Sequence, residues 1–404
     1  MTRKWLWLAV LGVVCAAGPL GAQPAAAPPA GFLRASGDRI VDGQGREVLL
    51  RGMGLGGWML QEGYMLGIKK EGTQHSIRAR IADLIGEKDA ERFYRLWRRN
   101  HMTRADVDLL ARSGFNSIRL PMHYDLFTLP IEAEPVKGRD TWLKTGFEMV
   151  DRLLGWCRAN RMYLILDLHA APGGQGKDAN ISDYDPAKPS LWESEENQRK
   201  TVALWRTLAE RYADEPWIGA FDILNEPNWT FEGKDKNGRE DVSNEPIWSL
   251  YKAITRAIRE VDAKHVIIVE GNGWGNNYRG FPEPWDGNLV MSFHKYWNPN
   301  TEEAIAPFLA LRERYRLPIW LGESGENTNE WFRECVALVE RHGIGWLTVP
   351  APGEFTSVVA YWNGEGERPS REIARRGLFQ LVDNLKAAKC RFNAEVAQAL
   401  IGAR

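Results

Sequence analysis

The sequence predicts an α/β fold, a closed (β/α)8 barrel of the TIM type with a short N-terminal β-hairpin. Three observations carry that expectation. Eight apolar runs of strand length recur along the chain: VLLRGMG (48–54), FNSIRLP (115–121), MYLILDLH (162–169), WIGAFDILNEP (217–227), HVIIVEGN (265–272), LVMSFHKY (289–296), PIWLGES (318–324) and GIGWLTVP (343–350). A helix-spaced stretch or a long loop follows each run, the alternation that parallel strands need for their crossovers. No GxGxxG turn follows the first run, so the rival, an open doubly wound sheet, lacks its usual mark.

Taken in order, the chain starts with MTRKWLWLAVLGVVCAAGPLGAQ. Arg3 and Lys4 precede an apolar stretch from Trp5 to Ala17, and Leu20-Gly21-Ala22 offers a small-residue exit. This reads as a cleaved signal peptide over 1–22, too short to span a bilayer, and implies a secreted or periplasmic protein. Val14 stands where lipid attachment to Cys15 would want a small residue. Residues 23–31 are a low-complexity lead-in, and 32–404 read as a single barrel domain. FLRASGDRIVDGQGREVLLRGMGL predicts the hairpin, with Gly43-Gln44-Gly45 turning between IVD and REVLL.

A long charged segment, 69–100, is an insertion after the first strand whose charges predict a solvated helical face. Helical spacing is clear in NEPIWSLYKAITRAIREVDAK, where Ile247, Leu250, Ile254, Ile258 and Val261 share a face. Ser243 or Asn244 is its predicted cap, with Pro246 in the first turn. Long loops, 173–194 and 229–246, follow the third and fourth strands, and 370–402 predict one or two closing helices.

Composition narrows the function classes. Lys and Arg number 52 against 53 Asp and Glu, so no net field recommends nucleic acid or an anionic membrane as partner. Oligomeric state is not legible. After the leader, Cys157, Cys335 and Cys390 are odd in number and lack CxxC spacing, which supports neither a disulfide framework nor a zinc site. The 18 Trp suit pyranose faces and equally suit a core.

Barrels of this kind concentrate chemistry at the C-terminal ends of their strands. Those ends supply Arg119, Asp167, His169, Asn225, Glu226, His294, Tyr296 and Glu323. Glu226 and Glu323 end the fourth and seventh strands, which face each other across a barrel mouth. Two converging carboxylates fit glycosidic bond cleavage: one is protonated to assist the leaving oxygen, the other ionised to attack the anomeric carbon. Arg119 and Tyr296 can hold Glu323 as an anion while Glu226 keeps a raised pKa. Arg119 also fits a structural ion-pair role inside the barrel. Asp167-x-His169 suggests a metal, but too few other His stand at strand ends to complete a usual site, so no metal and no cofactor is expected. His123, Tyr124 and Trp297 fit substrate contact and plain packing equally.

The motifs RGMGLGGWMLQE, GFNSIRLP, LILDLHAAPGGQ, DILNEP, HKY and GES appear in the order found in glycoside hydrolase family five, the cellulase-like retaining β-glycosidases, which the chain resembles from about Phe32 to Trp362. The resemblance implies Glu226 as acid/base, Glu323 as nucleophile, Asn225 on the sugar 2-OH, and Arg119, His169, His294 and Tyr296 as the surrounding polar shell. LGGWMLQE is most similar to the exo-β-1,3-glucanase branch, which implies that Glu62 contacts the non-reducing sugar. Trp58, at the end of the first strand, is a further candidate contact. The family usually carries a Trp under the reacting sugar, about three residues beyond the GW pair of the eighth strand. Here Val349 and Pro350 occupy that region, so Trp346 or Trp362 must take over the stacking or the floor is altered. The expected function is therefore a secreted retaining β-glycosidase acting on a β-linked oligo- or polysaccharide, a β-glucan or related β-glucoside. The alternative is a carbohydrate-binding barrel with weak or altered hydrolysis. A pure binder has no reason to keep both Glu226 and Glu323.

Overall fold

Side chains alternate across a strand, so each of the eight runs offers one face to the barrel axis and the other to the helices. A computed structural model describes residues 30–348, 357–364, 366–390 and 392–402. The segment expected to be a signal peptide, most of the expected lead-in, and Val349 and Pro350 lie outside the described residues. Two short antiparallel strands come first, β1 (Arg34–Ser36) and β2 (Arg39–Val41). Eight parallel strands follow: β3 (Arg51–Gly54), β4 (Ser117–His123), β5 (Tyr163–Ala170), β6 (Ile218–Asp222), β7 (Val266–Glu270), β8 (Leu289–His294), β9 (Ile319–Glu323) and β10 (Trp346–Thr348). Because β10 pairs with β3 as well as β9, the sheet closes. Each predicted run overlaps one of these strands, with β4 and β5 extending to His123 and Ala170, beyond the ends of theirs.

The alternation sorts the interior into layers. Ile118, Leu120 and Met122 of β4, and Leu164, Leu166 and Leu168 of β5, join the apolar layer under the helices. On the axis side, Ile165, Ala220, Ile268, Val290, Trp320 and Leu347 pack together with Leu33, Ile40 and Leu50. The N-terminal hairpin thus plugs the bottom of the barrel. Its turn differs from expectation: β1 and β2 turn at Gly37, and the Gly43-Gln44-Gly45 segment closes only a single bridge between Val41 and Glu47. Asp42 is the reason, since its carboxylate accepts from the Gln44 and Arg46 N–H groups and holds that segment as a compact turn.

The helix Glu245–Arg259 buries Ile247, Leu250, Ile254 and Ile258, as its spacing predicts. Asn244 sits at its N-cap, but its side chain donates to the Arg279 carbonyl and accepts from Asn272 instead of capping. The cap residue has been diverted to fasten the loop beyond β7. The closing segment forms two helices, Arg371–Asn384 and Ala394–Ile401. Among the described residues no helix is long and apolar enough to cross a membrane.

The charged insertion is two helices, Gln74–Ile85 and Glu87–Asn100, and it is more than a solvated face. Ile77, Ile81, Phe93 and Trp97 form a second apolar core with Val358, Val359, Trp362 and Leu378 of the C-terminal helices. This placement corrects the expectation that Trp362 lies under substrate. Trp362 is 8 % exposed in that satellite core, with the Arg80 guanidinium 5.5 Å from its ring centroid. Truncating a buried Trp there costs on the order of 3 kcal/mol through lost transfer energy and the cavity left behind. Trp362→Ala should lower the melting temperature without raising KM; a raised KM at unchanged stability would return Trp362 to the substrate.

Candidate active site

The charged layer above the apolar plug is organised by one side chain. Arg119, on the inward face of β4, is fully buried. Its Nε donates to Asp222 Oδ2 at 2.8 Å, its Nη2 to Asn225 Oδ1 at 2.7 Å and to Glu270 Oε1 at 3.1 Å. Its Nη1 donates to Glu323 and lies 3.2 Å from Asp167 Oδ2. Strands β5, β6, β7 and β9 therefore each present a carboxylate to one guanidinium, whose planar fork suits several acceptors at once.

Glu323 also accepts from the Tyr296 hydroxyl at 2.5 Å. Burial opposes its charge, but His294, Arg119, His169 and the Tyr296 hydroxyl prevail and bring its pKa down to about 2. Glu226 has the opposite balance. Burial raises its pKa, and the nearby Glu323 and Glu270 charges add to that against the single cation His294, whose Nδ1 donates to Glu226 Oε1 at 2.6 Å. Carboxylate oxygens of Glu226 and Glu323 and a ring nitrogen of His294 lie within 4.8 Å of one another. His169 is aligned by Asp167 at 2.7 Å and reaches toward Glu62 at 3.7 Å and Asn225 at 3.3 Å. Burial works against its charge, yet Asp167, Glu323 and Glu62 raise its pKa to about 9. Glu62 itself, under burial and the Glu323 and Glu226 charges, is raised to about 8 despite the opposing His169.

Two carboxylate–histidine groups, Asp167–His169–Glu323 and Glu226–His294–Glu323, have the spacing of metal ligands. Both histidines are held protonated by their surroundings, and Arg119 contacts Asp167 and Glu323. That donor set is already satisfied by cations of its own and does not fit a divalent ion.

The structure gathers Arg119, His169, Asn225, Glu226, His294, Tyr296, Glu323 and Glu62 at one mouth. It separates Trp58 from them. Trp58 is 1 % exposed in the main core, its indole N–H donating to the Arg98 carbonyl at 2.8 Å, so it fastens the insertion instead of meeting ligand. Trp346 faces the helix side, edge-on to Phe115 and bonded to Glu340. Of the residues left between contact and packing, Trp297 is 72 % exposed at the rim, whereas His123 is buried.

The family model described as Cellulase (glycosyl hydrolase family 5) matches residues 80–349. The chain belongs to glycosyl hydrolase family 5. A β-xylosidase of Phanerodontia chrysosporium is 31 % identical over 303 residues, covering 74 % of this chain and 58 % of that one. A probable glucan 1,3-beta-glucosidase A of Aspergillus niger is 24 % identical over 250 residues, 61 % of this chain and 55 % of that one. The chain spans a little over half the length of these curated relatives. Among solved structures, an endogalactoceramidase shares the fold with a TM-score of 0.57 at 18 % identity, covering 83 % of this chain and 78 % of that one.

Three positioning residues stand outside the predicted set. Glu270, at the end of β7, accepts from the Glu226 N–H at 2.8 Å and from Arg119, and holds His294 Nε2 at 3.2 Å. Its signal was present in VIIVEGN, where Glu270 shares the inward parity of Val266 and Ile268. Glu226 carries φ +40°, a left-handed backbone uncommon for a side chain of this kind, so the Glu270 bond holds a strained turn. Gln175, fully buried, donates to the His169 and Asn225 carbonyls at 2.7 and 2.8 Å. Asn228 donates to the Glu226 carbonyl at 2.9 Å and accepts from the Asp178 N–H at 2.6 Å, joining two loops of the mouth.

Asp183 anchors the loop that carries Asp178. Its carboxylate takes His75 Nδ1 at 2.8 Å and His123 Nε2 at 2.9 Å, joining loop, insertion and β4. Burial opposes the charge on both partners, but Asp125 and Asp183 raise His123 to about 10, while His123 and His75 lower Asp183 to about 2. A raised histidine contributes stability fully below its ordinary value near 6.5 and loses it as pH rises through about 10. A lowered aspartate contributes above about 4 and loses it as pH falls through about 2. Asp183→Asn should therefore cost about 3 kcal/mol between roughly pH 4 and 6.5, with the difference shrinking toward pH 10. Thermal unfolding of both proteins across pH checks this; a pH-independent difference would refute the linkage.

Proposed function

We propose that the protein is a retaining β-glycosidase acting on a β-glucan or related β-glucoside, with Glu323 as nucleophile and Glu226 as acid/base. One observation carries the reading: two carboxyl groups with oxygens within 4.8 Å and pKa shifts of opposite sign. That spacing suits direct attack, since inverting pairs stand roughly 6.5–9.5 Å apart to admit a water. Glu323, ionised, bonds to the anomeric carbon as the glycosidic C–O bond breaks. Glu226, protonated, gives its proton to the leaving oxygen. Water then enters from the Glu226 side, Glu226 takes its proton, and the ester to Glu323 is cleaved with net retention. Asn225, held by Arg119, is placed for the sugar 2-OH.

The kinship with a β-xylosidase and a probable glucan 1,3-beta-glucosidase supports β-linked glycosides as substrates, and LGGWMLQE supports the exo-β-1,3-glucanase branch. Glu62, buried and raised to about 8, fits a neutral carboxyl that can donate to a sugar hydroxyl. The leader supports export by cleavage after about residue 22. A carbohydrate-binding barrel is the weaker reading, because the opposed charge states serve bond cleavage and contribute nothing to binding alone.

Glu323→Gln should lose at least roughly 10⁴-fold in kcat on any active β-glucan or β-glucoside, measured by reducing-sugar release, because no covalent ester can form. Glu226→Gln should lose the alkaline limb of the kcat/KM profile and keep most of its rate on glycosides with acidic leaving groups. Retention of full activity by Glu323→Gln would end the proposal.

A further inference from the structure

The cleft does not stop at the two carboxylates. It is one continuous cavity of about 1470 Å³ whose two ends differ in chemistry. At one end stand Glu62, Tyr64, His169 and Glu326, a set of hydrogen-bonding groups. The other end opens past Glu226 and His294 and runs between the segment 276–281 and the helix Glu302–Tyr315. Its walls are Val242, Phe281, Pro307, Phe308, Leu311 and Tyr315.

These walls are preformed. Phe308 stacks on Phe293 at 4.3 Å between ring centroids, and Tyr315 meets Phe281 at 5.0 Å while its hydroxyl donates to the Phe281 carbonyl. The segment reaching them is tied to the proposed acid, since the Trp274 N–H donates to the Pro227 carbonyl at 3.1 Å. Three guanidinium groups, Arg239, Arg279 and Arg314, also border the cavity. Arg199, Arg211 and Arg259 each grip a carboxylate elsewhere. Arg239 instead lies over Trp274, Arg314 over Tyr315, and Arg279 donates to the Glu240 carbonyl. Asp235 senses the Arg239 charge but is occupied by backbone N–H groups. Apolar walls with cations that, among the described residues, have no carboxylate partner suit an anionic amphiphile better than a run of sugar hydroxyls.

We propose that this annex binds the leaving group of the glycoside, and that the leaving group is an apolar chain or ring bearing a negative charge. The inference rests on the reading of Glu226 and Glu323 as the cleaving pair, because the acid defines the side on which the leaving oxygen departs. The reaction balances as ordinary hydrolysis. The C1–O bond breaks, the Glu226 proton goes to the leaving oxygen, water supplies the sugar hydroxyl, and the anion leaves unchanged.

The test begins with 2,4-dinitrophenyl β-glycosides of several sugars, whose leaving group needs neither acid nor annex. The sugar turned over fastest is then made as its methyl, octyl and 7-carboxyheptyl glycosides, which share an unactivated alcohol leaving group. We expect kcat/KM for octyl to exceed methyl roughly tenfold or more, and carboxyheptyl to exceed octyl severalfold at low salt. The carboxyheptyl-to-octyl ratio should fall to about 1 in an Arg279→Ala, Arg314→Ala double variant and decline in wild type as salt rises. Calorimetric binding of 8-hydroxyoctanoate, the product, should weaken in the same double variant without any need for turnover. Equal rates for the three glycosides, or higher kcat/KM on unsubstituted β-linked oligosaccharides, would overturn the annex and leave the cleaving pair standing. Silence on every dinitrophenyl glycoside would overturn the cleaving pair, and the annex with it.

Discussion

Everything at the barrel mouth depends on one buried guanidinium. Isolated in a protein interior, a charge costs several kcal/mol after relaxation, and only close counter-charges with good hydrogen bonds offset it. Arg119 meets that condition by touching Asp167, Asp222, Glu270 and Glu323 from four different strands. Closure of the sheet makes this possible, because only a closed barrel brings the inward faces of β4 to β9 within reach of one side chain. In exchange the guanidinium fixes the azimuth of the strands around the axis, and so fixes where Glu323 points.

The same cluster decides where the proton sits. Arg119, His169 and His294 supply positive charge, while Asp167, Asp222, Glu270, Glu323, Glu226 and Glu62 are six carboxyl groups around them. Three cations cannot hold six anions out of water, so some carboxyl groups must keep protons. Glu323, beside Arg119, His169 and His294, and Glu270, beside Arg119 and His294 and accepting the Glu226 N–H as well, are both shifted down. The others rise, including Glu226. Opposed protonation of Glu226 and Glu323 is thus a property of the whole layer, not of two residues in isolation.

The layer was largely legible in the sequence. Period-2 alternation in LILDLH places Ile165, Asp167 and His169 on one face, and the eight runs located every strand of the barrel. Other members of the layer stand where local sequence carries a weaker mark. Glu270 sits on a run whose end, EGN, resembles an ordinary turn, yet parity alone puts it inside. Gln175 holds the Asn225 carbonyl and Asn228 the Asp178 N–H across loops, and nothing in local spacing marks a side chain that bonds 50 residues away. Trp58 and Trp362 were misplaced for another reason. A large aromatic near a loop satisfies a core and a sugar equally well, and only the path of the charged insertion, which builds its own core, separates the two. The hairpin turn shifted because Asp42 gave its glycine-rich segment a tighter local solution.

Trp346 shows how firmly parity binds. Leu347 points inward and packs with Trp320 in the apolar plug, so its neighbour Trp346 must face the helices, where it meets Phe115 and Glu340. Turning Trp346 toward the axis would require slipping β10 by one residue. That slip would expel Leu347 from the plug and break the pairing of Trp346 with Arg51 and Leu321 that closes the barrel. The strand cannot supply its tryptophan to the cleft without giving up closure. Among the described residues, the aromatic surface of the cleft comes from loops beyond other strands: Tyr64 after β3, Trp274 after β7, and Tyr296 and Trp297 after β8. The register of β10 therefore keeps Trp346 in the helix-side core and leaves stacking on a sugar to side chains from other strands.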